Sequence, residues 1–108
     1  MKVYISGKIT GLHPREYRGK FKAAAFKLRE QGHSVVDPSR LDVFELTYAQ
    51  YMAIDTTILS FCDAIYMLDN WQDSNGAKLE KEYAESLGLK VMYESEETDG
   101  KAQRKDPA

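Results

Sequence analysis

The stretch CDAIYML, residues 62–68, decides the fold. Every residue in it except Asp63 is apolar or aromatic, and the polar run DNWQDSN, residues 69–75, follows with strong turn chemistry. A strand that is apolar at successive positions, rather than at alternate ones, is typical of a sheet covered on both faces. The stretch therefore predicts a buried strand of a parallel α/β sheet.

The segments on either side of this strand alternate between β-rich runs and helical patterns. Strands are predicted over 2–6, 33–37 and 89–93, and helices over about 14–28, 47–61 and 76–87. The order β-α-β-α-β-α-β predicts a small Rossmann-like or flavodoxin-like parallel sheet of about four to five strands, with helices on both faces. Residues 1–93 form the predicted domain. Residues 94–108 lose the hydrophobic pattern and are expected to be a disordered tail.

Composition excludes several classes of function. The chain has 108 residues, a formal net charge of -2 and no basic block, so we expect no polymeric nucleic acid as partner. No apolar run approaches the ~20 residues of a membrane span, and the N-terminus lacks a signal-peptide pattern, so we expect no membrane partner and a cytoplasmic location. Two histidines and one cysteine leave no metal site. No cofactor is expected, and the chemistry must use carboxylates, hydroxyls and backbone groups.

Two carboxylates interrupt apolar helix faces. Asp55 shares a stripe of the second helix with otherwise apolar or aromatic residues, and Glu80 shares one of the third helix with Ala77, Ala84 and Leu87. An unpaired carboxylate in a dry core costs several kcal/mol. Such groups persist when they are hydrogen-bonded, line a cavity or have a raised pKa, and the last two conditions are those of a functional site. The polar side of the third helix is expected to face water: Lys78, Lys81, Glu82 and Glu85.

Three motifs resemble the nucleoside 2-deoxyribosyltransferase superfamily, which includes the 2'-deoxynucleoside 5'-monophosphate N-glycosidases. They are VYISGKITG (3–11), AIDTTILSFCDAIYML (53–68) and SNGAKLEKEYAESLGLKV (74–91), and the likeness is greatest to the DUF4406 branch. By this resemblance Glu80 is the nucleophile, and Asp55 assists proton transfer or contacts the sugar. Tyr4 helps to position the nucleophile or the sugar. Paired carboxylates suit such bonds, because cleavage passes through an oxocarbenium-like state.

The resemblance also implies where a 5'-phosphate binds. The first loop, which wraps the phosphate in the monophosphate hydrolases, corresponds to Gly7, Lys8, Ile9, Thr10 and Gly11, and the Ser-x-Gly that also meets it corresponds to Ser74 and Gly76. The expected ligand is a nucleoside or nucleoside 5'-monophosphate, and a homodimer or higher homo-oligomer is implied. Two alternatives stay open: a non-catalytic nucleotide-binding module with the same pocket, and a structural protein whose two carboxylates are simply hydrogen-bonded. Trp71, in the loop before Ser74, is expected to be exposed.

Overall fold

A computed structural model of the chain describes residues 1–96. Helices and strands alternate along the chain as the sequence predicts. The elements are β1 (Lys2–Ser6), α1 (Pro14–Glu30), β2 (Ser34–Val36), α2 (Tyr48–Leu59), β3 (Ala64–Met67), α3 (Asn75–Ser86) and β4 (Lys90–Tyr93). Two segments that the sequence suggested were loops contain 3-10 helices, over Pro38–Phe44 and Trp71–Asp73.

The four strands form one parallel sheet in the order β2-β1-β3-β4. The chain runs outward from β1 to β2 and then crosses back to β3 on the other side of β1, so the strand order reverses between β1 and β3. Open α/β sheets bind ligands beyond the carboxyl ends of their strands at such a reversal. The predicted α/β architecture is confirmed, with four strands, and it directs attention to the loops that follow β1 and β3.

The alternation of side chains along β1 separates two hydrophobic clusters. Val3 and Ile5 pack in one cluster with Phe21 and Leu28 of α1. Tyr4 packs in the other, with Leu59 of α2 and with two alanines of α3, Ala77 and Ala84. Because strand side chains alternate with a period of two, Ser6 faces the same side as Tyr4. Helix α1 thus covers one face of the sheet, and α2 and α3 cover the other.

The ends of the two predicted helix stripes are less buried than expected. Leu87 is 43% exposed, because α3 ends at Ser86 and the chain turns at Gly88, which has a φ of 77°. Leu89 packs against the α2 and α3 side of the sheet instead. Tyr48, the first residue of α2, is 53% exposed and borders a cavity. The expectation that Leu87 lies on the buried face of its helix is wrong.

Trp71 is not a free loop side chain. It is half-buried, its ring centroid lies 6.1 Å from that of Tyr93, and the Lys81 ammonium lies 5.4 Å from its centroid. Lys81 is accordingly half-buried rather than fully solvated, and it also pairs with Glu85 at 2.9 Å. Both expectations fail because the 3-10 helix over Trp71–Asp73 folds the indole back against β4.

Two sequence expectations concern the end of the chain and the membrane. Beyond β4, Glu94 Oε1 accepts a hydrogen bond from the backbone N–H of Asp69 at 2.8 Å. Of the segment predicted to be a disordered tail, residues 97–108 lie outside the described part of the chain. Within residues 1–96, no helix is long and apolar enough to cross a bilayer.

Candidate active site

A cavity of about 410 Å³ opens at the carboxyl ends of β1 and β3, where the strand order reverses. It is bounded by the end of β1 and the loop after it, by the 3-10 helix over Pro38–Phe44, by α2 and by the start of α3. Of the sequence-predicted site residues, most line it: Gly7, Lys8, Ile9, Thr10, Asp55, Ser74, Gly76 and Glu80. Tyr4 and Gly11 are not part of the cavity wall. Tyr4 nevertheless contacts the site, because it bonds to Glu80.

Two glycines of the first loop, Gly7 and Gly11, allow close packing and a backbone conformation that other residues do not. A Cβ on Gly7 would lie 2.7 to 2.9 Å from side-chain atoms of Leu68, so glycine is needed for the loop to pass over the end of β3. Gly11 has a φ of 90°, which glycine adopts without strain. Gly7 lines the cavity and Gly11 does not, and the ligand contacts expected of both glycines stay predictions.

Glu80 is the most constrained charged group of the cavity. It lies in the second turn of α3 and is 6% exposed, with Ala77 and Ala84 on the same face. The Ser6 hydroxyl donates to Oε1 at 2.6 Å, and the Tyr4 hydroxyl donates to Oε2 at 2.9 Å. Both carboxylate oxygens therefore have a donor from β1. The sequence reasoning found Tyr4 and missed Ser6, although the two-residue spacing on one strand face was the signal that could have found it.

Asp55 faces the same cavity from α2 and is less well paired. Its Oδ1 is buried and has no hydrogen-bond partner among the described residues. Burial raises the pKa of Asp55, against weaker lowering by its hydrogen bonds with Glu80 and Tyr4. Burial also raises the pKa of Glu80, where the neighbouring Asp55 charge acts in the same direction and the Ser6 hydrogen bond opposes it most strongly. The two groups interact, so the pair keeps a proton near neutral pH, when ordinary carboxyls are ionised.

The Tyr4 hydroxyl stays protonated throughout this range. Burial raises its pKa well above 10, and the neighbouring Glu80 and Asp55 charges act in the same direction. Tyr4 is therefore a fixed hydrogen-bond donor rather than an acid or a base.

One rim of the cavity can accept an anion. The Ser74 side chain caps α3 by accepting from the N–H of Ala77 at 3.1 Å, while the N–H groups of Asn75 and Gly76 have no partner within residues 1–96. Free N–H groups and the positive end of the helix dipole favour negative charge. Lys8 adds a cation on the facing loop, and its own backbone N–H is held by Asn70 Oδ1 at 3.0 Å.

The opposite wall carries a cluster that the sequence reasoning missed. Asp42 accepts from the Tyr17 hydroxyl at 2.6 Å and from the Arg18 guanidinium twice at 2.8 Å. The Arg18 hydrogen bond is the largest effect that holds the pKa of Asp42 below its usual range. These contacts join α1 to the 3-10 helix over Pro38–Phe44, and only the fold brings them together. Within the described residues, no group of three metal-ligating side chains could hold a metal ion.

Comparison with known families identifies the family of this chain. The family described as "Domain of unknown function (DUF4406)" matches residues 1–93. The chain belongs to the DUF4406 family. The match covers every strand and helix that forms the cavity of this DUF4406 domain. No curated protein matches it. The family description names no activity, so the chemistry has to be argued from the site.

Proposed function

We propose that this DUF4406 domain cleaves the N-glycosidic bond of a nucleoside or nucleoside 5'-monophosphate, or transfers the sugar to a second base, with Glu80 as nucleophile. The observation that carries the proposal is the placement of Glu80, a nearly buried carboxylate that lines the cavity with both oxygens held by β1 hydroxyls. The resemblance to the nucleoside 2-deoxyribosyltransferase superfamily supports it, because Gly76, Glu80 and Ala84 match that superfamily's nucleophile helix.

In the first half-reaction, ionised Glu80 attacks C1' of the sugar. A C1'–O bond forms while the C1'–N bond breaks, and the base leaves with the electron pair of that bond. Asp55 in its protonated form gives its proton to the departing base. A buried carboxyl with a raised pKa suits this role, since it still holds a proton when ordinary carboxyls have lost theirs.

In the second half-reaction, water or another base attacks C1' and releases Glu80. Asp55, now ionised, takes the proton of the attacking water, and the C1'–O bond to Glu80 breaks with its electrons returning to the carboxylate. This use of one carboxyl as acid and then as base follows the pattern of retaining glycosidases. Free Glu80 and the protonated form of Asp55 are regenerated at the end of the cycle.

The anion-accepting rim favours a substrate with a phosphate. Lys8, Thr10 and the free N–H groups at the start of α3 line the cavity beside Ser74. A 5'-phosphate bound there would receive charge-assisted hydrogen bonds. The opposite wall, formed by Ser39 and Asp42, is left for the base.

A homo-oligomer remains a prediction. Leu79 is 49% exposed and Tyr83 is 37% exposed, and their spacing of four residues places them on one side of α3. Phe61 lies just beyond the end of α2 and is 71% exposed. Sedimentation of the full chain tests whether these apolar groups are covered by a second copy.

Chromatography of reaction mixtures tests the proposed activity. The protein is incubated with ribo- and deoxynucleosides and with their 5'-monophosphates, with and without added free base. Released base identifies a hydrolase, and exchanged base identifies a transferase. Glu82→Gln is the matched control for Glu80→Gln, because Glu82 is exposed on the same helix. If wild type and Glu80→Gln are both inert while a nucleotide still raises the melting temperature, the binding module is correct and the proposed reaction is not.

A further inference from the structure

The two carboxyl groups of the cavity, Glu80 and Asp55, differ in the hydrogen bonds that their oxygens receive. Glu80 accepts from Ser6 at Oε1 and from Tyr4 at Oε2, so a negative charge on it is stabilised at both oxygens. Asp55 Oδ1 is buried without a partner among the described residues. A charge on Asp55 would leave that buried oxygen without a hydrogen-bond donor, which is costly. A proton held by the pair is therefore better placed on Asp55.

We propose that Ser6 is a positioning residue that, together with Tyr4, keeps Glu80 ionised and leaves the shared proton on Asp55. This inference rests on the proposed function, for which that arrangement is the reactive one: nucleophile charged, acid protonated. Without the Ser6 hydroxyl, Oε1 of Glu80 loses its donor and the proton is drawn to Glu80. A protonated Glu80 cannot attack C1', and an ionised Asp55 cannot protonate the base.

The position of Ser6 is fixed by the sheet rather than by a flexible loop. Ser6 is the last residue of β1, is 1% exposed, and its carbonyl accepts from the N–H of Leu68 at 2.8 Å. Hydroxyls serve as donors or acceptors according to their surroundings, and here a carboxylate oxygen at 2.6 Å requires the Ser6 hydroxyl to donate. Since Tyr4 lies two residues earlier, one strand supplies both donors at adjacent positions on one face.

Few other charges reach this pair. Tyr4 approaches from β1 and remains neutral, and Asp55 approaches from α2. Lys8, Asp42 and Asp73 line the remaining walls, and Asp42 is neutralised by Arg18. The hydroxyl of Ser6 is thus the strongest local influence that favours the ionised form of Glu80, ahead of Tyr4.

Titration of assigned side-chain carboxyl carbons by NMR, on the full chain without substrate, tests the inference. In the wild type, Glu80 is expected to ionise at lower pH than Asp55. Ser6→Ala should move the Glu80 midpoint upward by about one pH unit, since hydrogen bonds to charged groups contribute about that much. Ser6→Thr, which keeps the hydroxyl, should restore the wild-type midpoint. The control Ser34→Ala, at an exposed position of β2, should leave it unchanged.

A second readout is the pH profile of kcat/KM for base release. The acidic limb should move upward with Ser6→Ala, so that activity at pH 6 falls about tenfold relative to the wild type and the difference between the two shrinks as the pH rises, with KM little changed. If Ser6→Ala does not fold, Tyr4→Phe removes the other donor and should move the Glu80 midpoint the same way by less.

Ionisation of Glu80 after Asp55 in the wild type, or an unchanged Glu80 midpoint in Ser6→Ala, would overturn the inference. Because the titration needs no substrate, absence of base release from the whole panel would refute the proposed reaction separately. The NMR result would then still decide which carboxyl holds the proton.

Discussion

Replacing Glu80 by glutamine should make the protein more stable at alkaline pH, although it removes the proposed nucleophile. Asp55 and Glu80 titrate as a buried pair whose last proton leaves near pH 7, whereas a glutamate of the unfolded chain ionises near pH 4.5. The folded state therefore binds a proton that the unfolded chain has already released between these pH values. Stability is greatest below the unfolded pKa and is lost as the pH rises through the folded one. Glutamine is nearly isosteric and neutral, so one of the two charges is never buried and the loss should become smaller.

The size of the effect follows from the two pKa values. Each pH unit of difference corresponds to about 1.4 kcal/mol, so loss of the last proton from the Asp55 and Glu80 pair should cost the folded state about 3 kcal/mol at pH 8 relative to pH 4.5. Some of the gain in Glu80→Gln is offset, because one of the Ser6 and Tyr4 hydroxyls must turn from donor to acceptor.

Thermal and denaturant unfolding at pH 5, 6.5 and 8 measures this. For a domain of this size, about 3 kcal/mol corresponds to a fall in Tm of about 10 °C or more across the range for wild type. Glu80→Gln leaves only Asp55 to titrate in the cavity, so its stability should fall less than that of the wild type and should exceed it at pH 8. Glu82→Gln, exposed on the same helix, should follow the wild type. A wild-type stability that is flat or rises from pH 5 to 8, or a Glu80→Gln curve parallel to it, would refute the reasoning.

Three other substitutions test separate parts of the structure. Gly7→Ala should lower the free energy of unfolding by about 1–3 kcal/mol, because the new Cβ would lie 2.7 Å from a side-chain atom of Leu68. Gly19→Ala is the control in α1, where nothing lies within 4 Å of the new Cβ, and it should raise the free energy of unfolding by about 0.5–1 kcal/mol. Equal effects of the two substitutions would contradict the packing explanation. Thr47→Ala removes the capping box of α2 and should cost about 1 kcal/mol in the same assay, and no loss would show that the cap is not stabilising. Lys8→Ala should raise KM for nucleoside 5'-monophosphates about tenfold or more in the base-release assay while leaving nucleosides unaffected, and equal effects on both would exclude a phosphate contact.

The sequence predicted the fold well because local and global signals agree in the strands. The run over 62–68 is apolar at successive positions and indeed forms part of a sheet covered on both faces. The interruption of an apolar helix face by Glu80 also indicated correctly that this side chain is buried. Periodicity works here because one face of α3 packs directly on the sheet.

The features that the sequence did not reveal depend on tertiary contacts or on short helices. The hydrogen bonds from Tyr17 and Arg18 to Asp42 join residues that are 25 and 24 positions apart in sequence, and no local pattern indicates them. The 3-10 helix over Pro38–Phe44 starts from a cap by Asp37, whose side chain accepts from Ser39, and carries no repeating apolar pattern. The periodic pattern predicts a buried Leu87 because it continues one residue past the actual end of α3.

The account depends most on whether Glu80 forms a bond to the sugar, and peptide mass spectrometry measures this directly. The panel substrate whose base is released is used in a form with fluorine at C2', which slows steps of oxocarbenium character. After acid quenching, the peptide that contains Glu80 should carry the mass of the sugar in the wild type and in Glu82→Gln. The same peptide should be unmodified in Glu80→Gln, which should also release no base. Sugar attached to another residue, or wild-type base release by Glu80→Gln, would contradict the proposed reaction.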